Sequence, residues 1–287
     1  MERATTFCRL RAALAPLARP VLTGFPPARW LGLWWLARRQ PAEVDVGGRR
    51  YDVHPADFGV TFEIASTGDY EPASRAACRS ALQPGQTFVD IGAHVGLFAV
   101  PASEAVGPSG TVIAFEPDPD NRALLERNLS RHNCDNVTVV PAALADRDGE
   151  MQLARSRFNT GDHRISEASG GLRVPVYALD DWLDRCGVVP DVIKMDVQGA
   201  EPLVLAGMRR TLEADRPLHV LFEFTPAMLR KRGAAPQALL EQFLADGFTL
   251  FMIDERRGDS IASAPADIMR ACPARGYVNV HAVRGAA

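Results

Sequence analysis

The chain predicts a three-layer α/β domain built on a mostly parallel sheet. Apolar strands alternate with helical segments from residue 87 to about residue 253. The first two core strands end in acids, Asp90 and Glu116, at the edge where such sheets take their ligands. At 287 residues and 31.2 kDa the chain can bury one large core, or one domain with an appendage. Its 47% hydrophobic and 23% charged content is that of an ordinary globular protein.

Residues 1 to about 40 are rich in Arg and Ala, with apolar patches around Leu14 and from Trp30 to Leu36. Arg11, Arg19, Pro20, Pro26, Pro27 and Arg29 keep any run short of the ~20 apolar residues of a membrane span. A compact signal-peptide core is also missing there, so this segment is read as a helical cap, with weak membrane-surface contact as the alternative. Val44 to Val53 reads as a hairpin around Gly47-Gly48. Gly68-Asp69-Tyr70-Glu71-Pro72 leads into a helix from about Ala73 to Leu82, which Pro84-Gly85 closes. Phe88 to Ile91 is the first core strand and Val112 to Phe115 the second, followed by a helix from Pro119 to His132. Val137 to Val140 is the third strand, and Pro141 to Asp146 the loop at its end. Met151 to Arg155 and Arg173 to Leu179 look like extra strands around a polar loop, Ser156 to Gly171. A short helix over Asp180 to Cys186 precedes the fourth core strand, Asp191 to Asp196, and a helix from Ala200 to about Ala214. Leu218 to Phe224 is the fifth strand, Pro236 to Asp246 a helix, and Phe248 to Ile253 and Tyr277 to Val283 finish the sheet.

The stretch Asp90-Ile91-Gly92-Ala93-His94-Val95-Gly96 decides the cofactor class. A dinucleotide loop needs a middle glycine for the pyrophosphate. Here Gly92 and Gly96 enclose Ala93, His94 and Val95, and the acid comes first. That pattern suits a ligand with an ammonium group and no phosphate, and it points to S-adenosyl-L-methionine. Glycine at these positions lets backbone approach a ligand closely, and the strand-to-helix turn aims free N–H groups at one small volume. Glu116, stopped by Pro117, stands where a strand-end acid accepts from both ribose hydroxyls.

Several stretches together resemble the FkbM family of S-adenosylmethionine-dependent methyltransferases: Gly68 to Glu71, Phe88 to Gly96, Val112 to Asp118, Ala142 to Asp146, Phe158 to Arg164, Leu179 to Trp182, and Asp191 to Glu201. They span about residues 66 to 225 in the family's order. The resemblance implies the class I, Rossmann-like methyltransferase fold, with seven strands and an antiparallel last strand. It makes residues 1–65 a helical and hairpin extension and 66–287 the methyltransferase domain. It further implies methyl transfer to a hydroxyl of a small polyhydroxylated acceptor: a sugar, glycan or secondary metabolite. One departure stands out, because Gln198 occupies a position that usually holds an acid.

Matched by position, Gly92, His94 and Gly96 would line the methionine part of the cofactor, and Asp90 would orient the loop or accept from the ammonium. Glu116 and Pro117 would meet the ribose, Ala143 and Leu144 the adenine, and Asp146 the adenine amine. Tyr70 and Glu71 either close over the methionine end or simply start a helix. An alcohol needs a base as it attacks. His163, whose ordinary pKa suits that work, and Asp196 are the candidates. Asp196 with Asp162 or Glu223 could instead hold Mg²⁺. Lys194 and Glu201 read as structural.

A net charge of -3 argues against nucleic acid as a partner. Five scattered cysteines without a C-x-x-C suggest reduced thiols, hence a cytoplasmic setting, and neither a disulfide framework nor a zinc site. The competing functions are a nicotinamide-dependent oxidoreductase and a non-catalytic cofactor-binding scaffold. Oligomeric state is left open by the sequence.

Overall fold

Gly47 and Gly48, at φ 59° and 77°, turn β1 (Glu43–Val46) back onto β2 (Arg49–Asp52), as a two-residue hairpin with both turn residues at positive φ requires. The computed structural model describes residues 41–55, 57–156, 159–166, 170–272 and 276–285. The cap expected over residues 1–40 lies outside them. The hairpin belongs to a small unit of residues 41–70 and 156–162. Within it α1 (Val60–Thr67) ends at Gly68, φ 87°. Buried Asp57 accepts N–H bonds from Gly59, Thr61 and Thr160 at 3.0, 2.7 and 2.9 Å. The sequence reading left α1 unassigned, because Val60, Thr61, Ile64 and Thr67 are β-branched and blur a helical signal.

The larger unit holds residues 71–155 and 163–285. It begins with α2 (Pro72–Ala81), β3 (Thr87–Ile91), α3 (Ala99–Val106), β4 (Thr111–Phe115), α4 (Pro119–Arg131) and β5 (Val137–Val140). After these come β6 (Ala143–Leu144), β7 (Gly149–Ala154), β8 (Arg164–Ser166), β9 (Leu172–Tyr177), α5 (Leu179–Cys186) and β10 (Val192–Met195). The chain continues through α6 (Glu201–Ala206), α7 (Arg209–Glu213), β11 (Leu218–Phe224), α8 (Pro226–Lys231) and α9 (Pro236–Ala245). It closes with β12 (Thr249–Asp254), β13 (Asp259–Ala262), α10 (Pro265–Ala271) and β14 (Val278–Arg284).

The main sheet runs β13-β12-β14-β11-β10-β3-β4-β5. From β11 to β5 all neighbours are parallel, and β14 inserts antiparallel between β11 and β12. The strand order therefore reverses at β3 and β10, the place where a doubly wound sheet opens a ligand crevice. This is the expected class I arrangement with its antiparallel last strand. The count is eight where seven were expected, because β13 folds back on β12 as an exposed edge strand. The extra strands form a separate four-stranded sheet, β6-β9-β7-β8. Ala143 and Leu144, expected in a loop, pair in parallel with Val176 and Tyr177 there.

One sheet face buries Ile91, Ile113, Ile193, Val220 and Phe222 against Leu183, Leu205, Leu239 and Phe243 from the helices. Each such side chain contributes roughly 1.5–3 kcal/mol of burial. The helix expected over 200–214 is broken in two at Gly207. A Cβ on Gly207 would lie 2.0 Å from the carbonyl oxygen of Ala145, so only glycine lets the chain pass there.

On the sheet, His219 Nδ1 and His281 Nε2 of neighbouring β11 and β14 lie 2.9 Å apart. Burial and then the neighbouring imidazole push His281 down to about 4, and burial lowers His219 as well. The fold thus favours the neutral pair. Its contribution is full above pH ~6.5, the unfolded value, and is lost as pH falls toward 4. Thermal unfolding of His281→Gln is expected to lose less stability than wild type between pH 7 and pH 4.5. Parallel curves would contradict this.

Candidate functional site

Asp90 lies in β3 facing Lys194 of β10, its neighbour in register, and is fully buried. Lys194 Nζ stands 3.7 Å from Asp90 Oδ1, 3.9 Å from Asp196 Oδ2, and over the Phe98 ring at 4.9 Å; it also donates to the Gly92 carbonyl at 3.3 Å. It is the buried cation among the described residues. Burial pulls its pKa down, yet Asp90, Asp196, Glu71 and Glu223 together hold it above the ordinary value. Burial raises Asp90 to about 6 even with that cation beside it. Lys194, read from sequence as structural, is therefore the counter-charge of the whole strand-end cluster.

The glycine loop does not form the open N–H cradle expected of it. Gly92 and Ala93 donate to the Phe115 carbonyl at 3.0 Å each, and Gly96 donates to Ala93 at 2.8 Å. His94, held at φ 52°, donates its N–H to Glu116 Oε2 at 2.8 Å. The Gly92, Ala93 and His94 amides thus tie the loop to the end of β4. The approach that glycine permits at position 92 is also internal. A Cβ there would lie 2.1 Å from the Asp196 carbonyl oxygen. At Gly96 it would meet the Leu125 side chain at 2.8 Å.

Glu116 closes β4 and is 4% exposed. Its Oε1 accepts from the Asp118 N–H at 2.9 Å, so both oxygens face backbone donors. Burial nevertheless raises its pKa to about 8. Behind Pro117, Asp118 caps α4 by accepting from Asp120 and Asn121 at 2.9 and 3.1 Å. Arg155 Nε pairs with Asp118 at 2.6 Å, and His163 Nε2 lies 3.6 Å from the same carboxylate, its side chain 8% exposed. His163 thus sits with the start of α4, beside the Glu116 turn, while Asp196 sits with Lys194.

Glu71 starts α2 in a left-handed conformation, φ 44°, but its carboxyl caps nothing. It is buried in a small cavity of about 10 Å³ lined by Ser74, Lys194, Asp196, Glu223 and Asn279. Burial, then repulsion from Asp196, lifts it to about 7. The open N–H groups of Ala73 and Ser74 are taken instead by Glu255, at 2.8 and 3.0 Å. Glu201 is likewise buried and raised to about 7, and its Oε1 accepts from Gly199 at 3.0 Å. Ala143 is buried in β6. Asp146 pairs with Arg147 at 2.9 Å on the wall of a cleft of about 670 Å³, which runs past Glu150 and Arg173 to Gly199 and Arg232.

The site therefore joins Glu71, Asp90, Lys194 and Asp196 in one cluster and Glu116, His94, Asp118 and His163 in another, at the carboxyl ends of adjacent strands. Sequence reading missed Glu255 and Asn279. It weighed Glu223 only for a metal, although its place at the end of β11 was a legible signal. Among the described residues no group of three or more His, Cys, Asp or Glu side chains could hold a metal ion. The chemistry of the cluster fits S-adenosylmethionine. Glu71, Asp90 and Glu223, buried and pushed toward neutrality, and the half-buried Asp196 surround one lysine, and a ligand with a positive charge would relieve them.

The methyltransferase FkbM domain model matches residues 90–260. The 2-O-methyltransferase NoeI of Sinorhizobium fredii is 30% identical over 154 residues, covering 47% of this chain and 62% of that protein. The hexuronic acid methyltransferase AglP of Haloferax volcanii is 30% identical over 129 residues, covering 44% of this chain and 51% of that one. The chain thus spans between half and two-thirds of the length of these relatives. Among solved structures, M. jannaschii TYW2 in complex with AdoMet aligns with TM-score 0.46 and 15% identity over 84% of this chain and 85% of that one, which adds nothing to the strand order already described. With more than half of its length matched by the domain model, the chain belongs to the methyltransferase FkbM domain family.

Proposed function

We propose that the protein is an S-adenosylmethionine-dependent O-methyltransferase acting on a hydroxyl of a sugar or glycan. The observation that carries this reading is the carboxyl cluster of buried Glu71, Asp90 and Glu223 and half-buried Asp196 around Lys194, at the edge where the sheet order reverses. Family membership, the 2-O-methyltransferase name of NoeI and the hexuronic acid named for AglP support it. Glu116 would hold the ribose, the loop from Gly92 to Gly96 the methionine part, and Ala143 and Asp146 the adenine. When bound, S-adenosylmethionine supplies a methyl group on a positively charged sulfur. The chain's own work is then alignment of the acceptor oxygen and removal of its proton. Asp196, with a side chain 20% exposed at the strand ends, is the residue we assign to that proton. His163, beside Asp118, is the alternative base.

The test is incubation with methyl-labelled S-adenosylmethionine and a panel of neutral sugars, hexuronic acids and glycans. Label that survives mild base is a methyl ether and supports the reading. Label released by base is an ester on a carboxyl group and overturns the hydroxyl assignment. Cofactor binding with no acceptor labelled would favour a scaffold.

A further inference from the structure

Gln198 follows the end of β10 in a left-handed conformation, φ 53°, with Gly199 at 91° behind it. That turn brings its side-chain amide back onto two acids. Nε2 donates to Asp196 Oδ1 at 2.8 Å and to Glu223 Oε1 at 3.3 Å. Glu223 Oε1 also accepts the Thr225 hydroxyl at 2.8 Å. An amide nitrogen has two hydrogens and no charge, so one group can serve both carboxyls without adding to the local field. An acid in its place would put a third carboxyl between two others, with Glu71 close by, and they could not all ionise.

We infer that Gln198 is a positioning residue that ties Asp196 and Glu223 side by side at the ends of β10 and β11 and fixes the orientation of the Asp196 carboxyl. The inference rests on the methyltransferase reading above. Glu223 is buried, and burial first, then Asp196 and Glu71, pushes its carboxyl well above the ordinary range. Lys194, Glu201 and Cys272 are the other titratable groups that act on it or feel it. Burial thus favours the neutral form of Glu223 beside Asp196. The departure at position 198 is in this light a substitution of a neutral bridge for a charge.

Two variants separate the bridge from simple packing. Gln198→Glu exchanges the two-hydrogen amide for a titratable carboxyl, and Gln198→Met removes the donor and adds no titratable group. Circular dichroism first establishes that each folds. If Gln198→Glu does not, Gln198→Asp replaces it. S-adenosylmethionine is titrated into each protein by calorimetry in buffers of different ionisation enthalpy, which counts protons released on binding. The added carboxyl should hold a proton in the free protein and lose it to the positively charged ligand. Gln198→Glu is expected to release more protons than wild type near pH 7.5. Gln198→Met is expected to bind roughly 3- to 10-fold more weakly with an unchanged proton count. Equal proton counts and affinities in all three proteins would overturn the inference. A wild-type protein that does not bind S-adenosylmethionine would overturn the methyltransferase reading instead.

Discussion

Lys194→Met should destabilise the fold by about 3–5 kcal/mol, the usual loss when one partner of a buried ion pair is removed. Lys194 is the cation facing fully buried Asp90, and Asp196, Glu71 and Glu223 also lean on it. Without it Asp90 must keep its proton to stay folded, although its ordinary value is 3.8 and it stands near 6 with the lysine present. A folded pKa raised further means that the unfolded chain sheds the proton first. The penalty therefore grows as pH rises through the new folded value and shrinks in acid. Urea unfolding at pH 5 and pH 8 reads this directly. A loss of equal size at both would mean that the lysine stem packing on Phe98, rather than its charge, carries the effect.

Glu116→Ala should abolish S-adenosylmethionine binding at any practical concentration, with a loss of at least ~100-fold if two hydrogen bonds to a charged group are removed. It also orphans the His94 and Asp118 N–H groups, each at about 1–3 kcal/mol of stability. Glu116→Gln keeps one carbonyl acceptor and so orphans only one of the two N–H groups. It should lose about half the stability that Glu116→Ala loses and bind at least ~10-fold more weakly. Because burial raises Glu116 to about 8, its contribution to the free protein is full below pH ~4.5 and is lost as pH rises through 8. Calorimetric titration and thermal unfolding across pH 5–9 check both statements. Wild-type affinity in Glu116→Ala would remove the basis for placing a ribose there.

The parallel core was legible because its strands are continuous apolar runs closed by acids, and the run from Leu218 to Phe224 matches β11 at both ends. Failures came where distant chain decides local form. The helix splits at Gly207, where Asp180, 27 residues earlier in sequence, donates to the Gly207 carbonyl and accepts from the Arg210 and Thr211 amides that begin the second piece. The short strand β13, exposed at every position, has no buried alternation to announce it. In the site, Asp90 and Glu116 could be read from strand ends. The role of Lys194 could not, because its charge balance depends on residues from four separate elements. The Gly92 and Ala93 amides were misread for a similar reason, since their acceptor, the Phe115 carbonyl, lies on the next strand.

The carboxylate of Glu255 reaches across 181 residues to seat the beginning of α2, next to Glu71. Its hydrogen bonds therefore join nearly the first and nearly the last structure of the larger unit. A chain emerging from synthesis has no means of completing this corner until the closing hairpin arrives. The corner is thus a late event in folding, set against the cost of closing a loop of 181 residues. A ligand that engages Glu71 would reinforce the region that assembles last, and amide exchange there should slow more on binding than in the apolar interior.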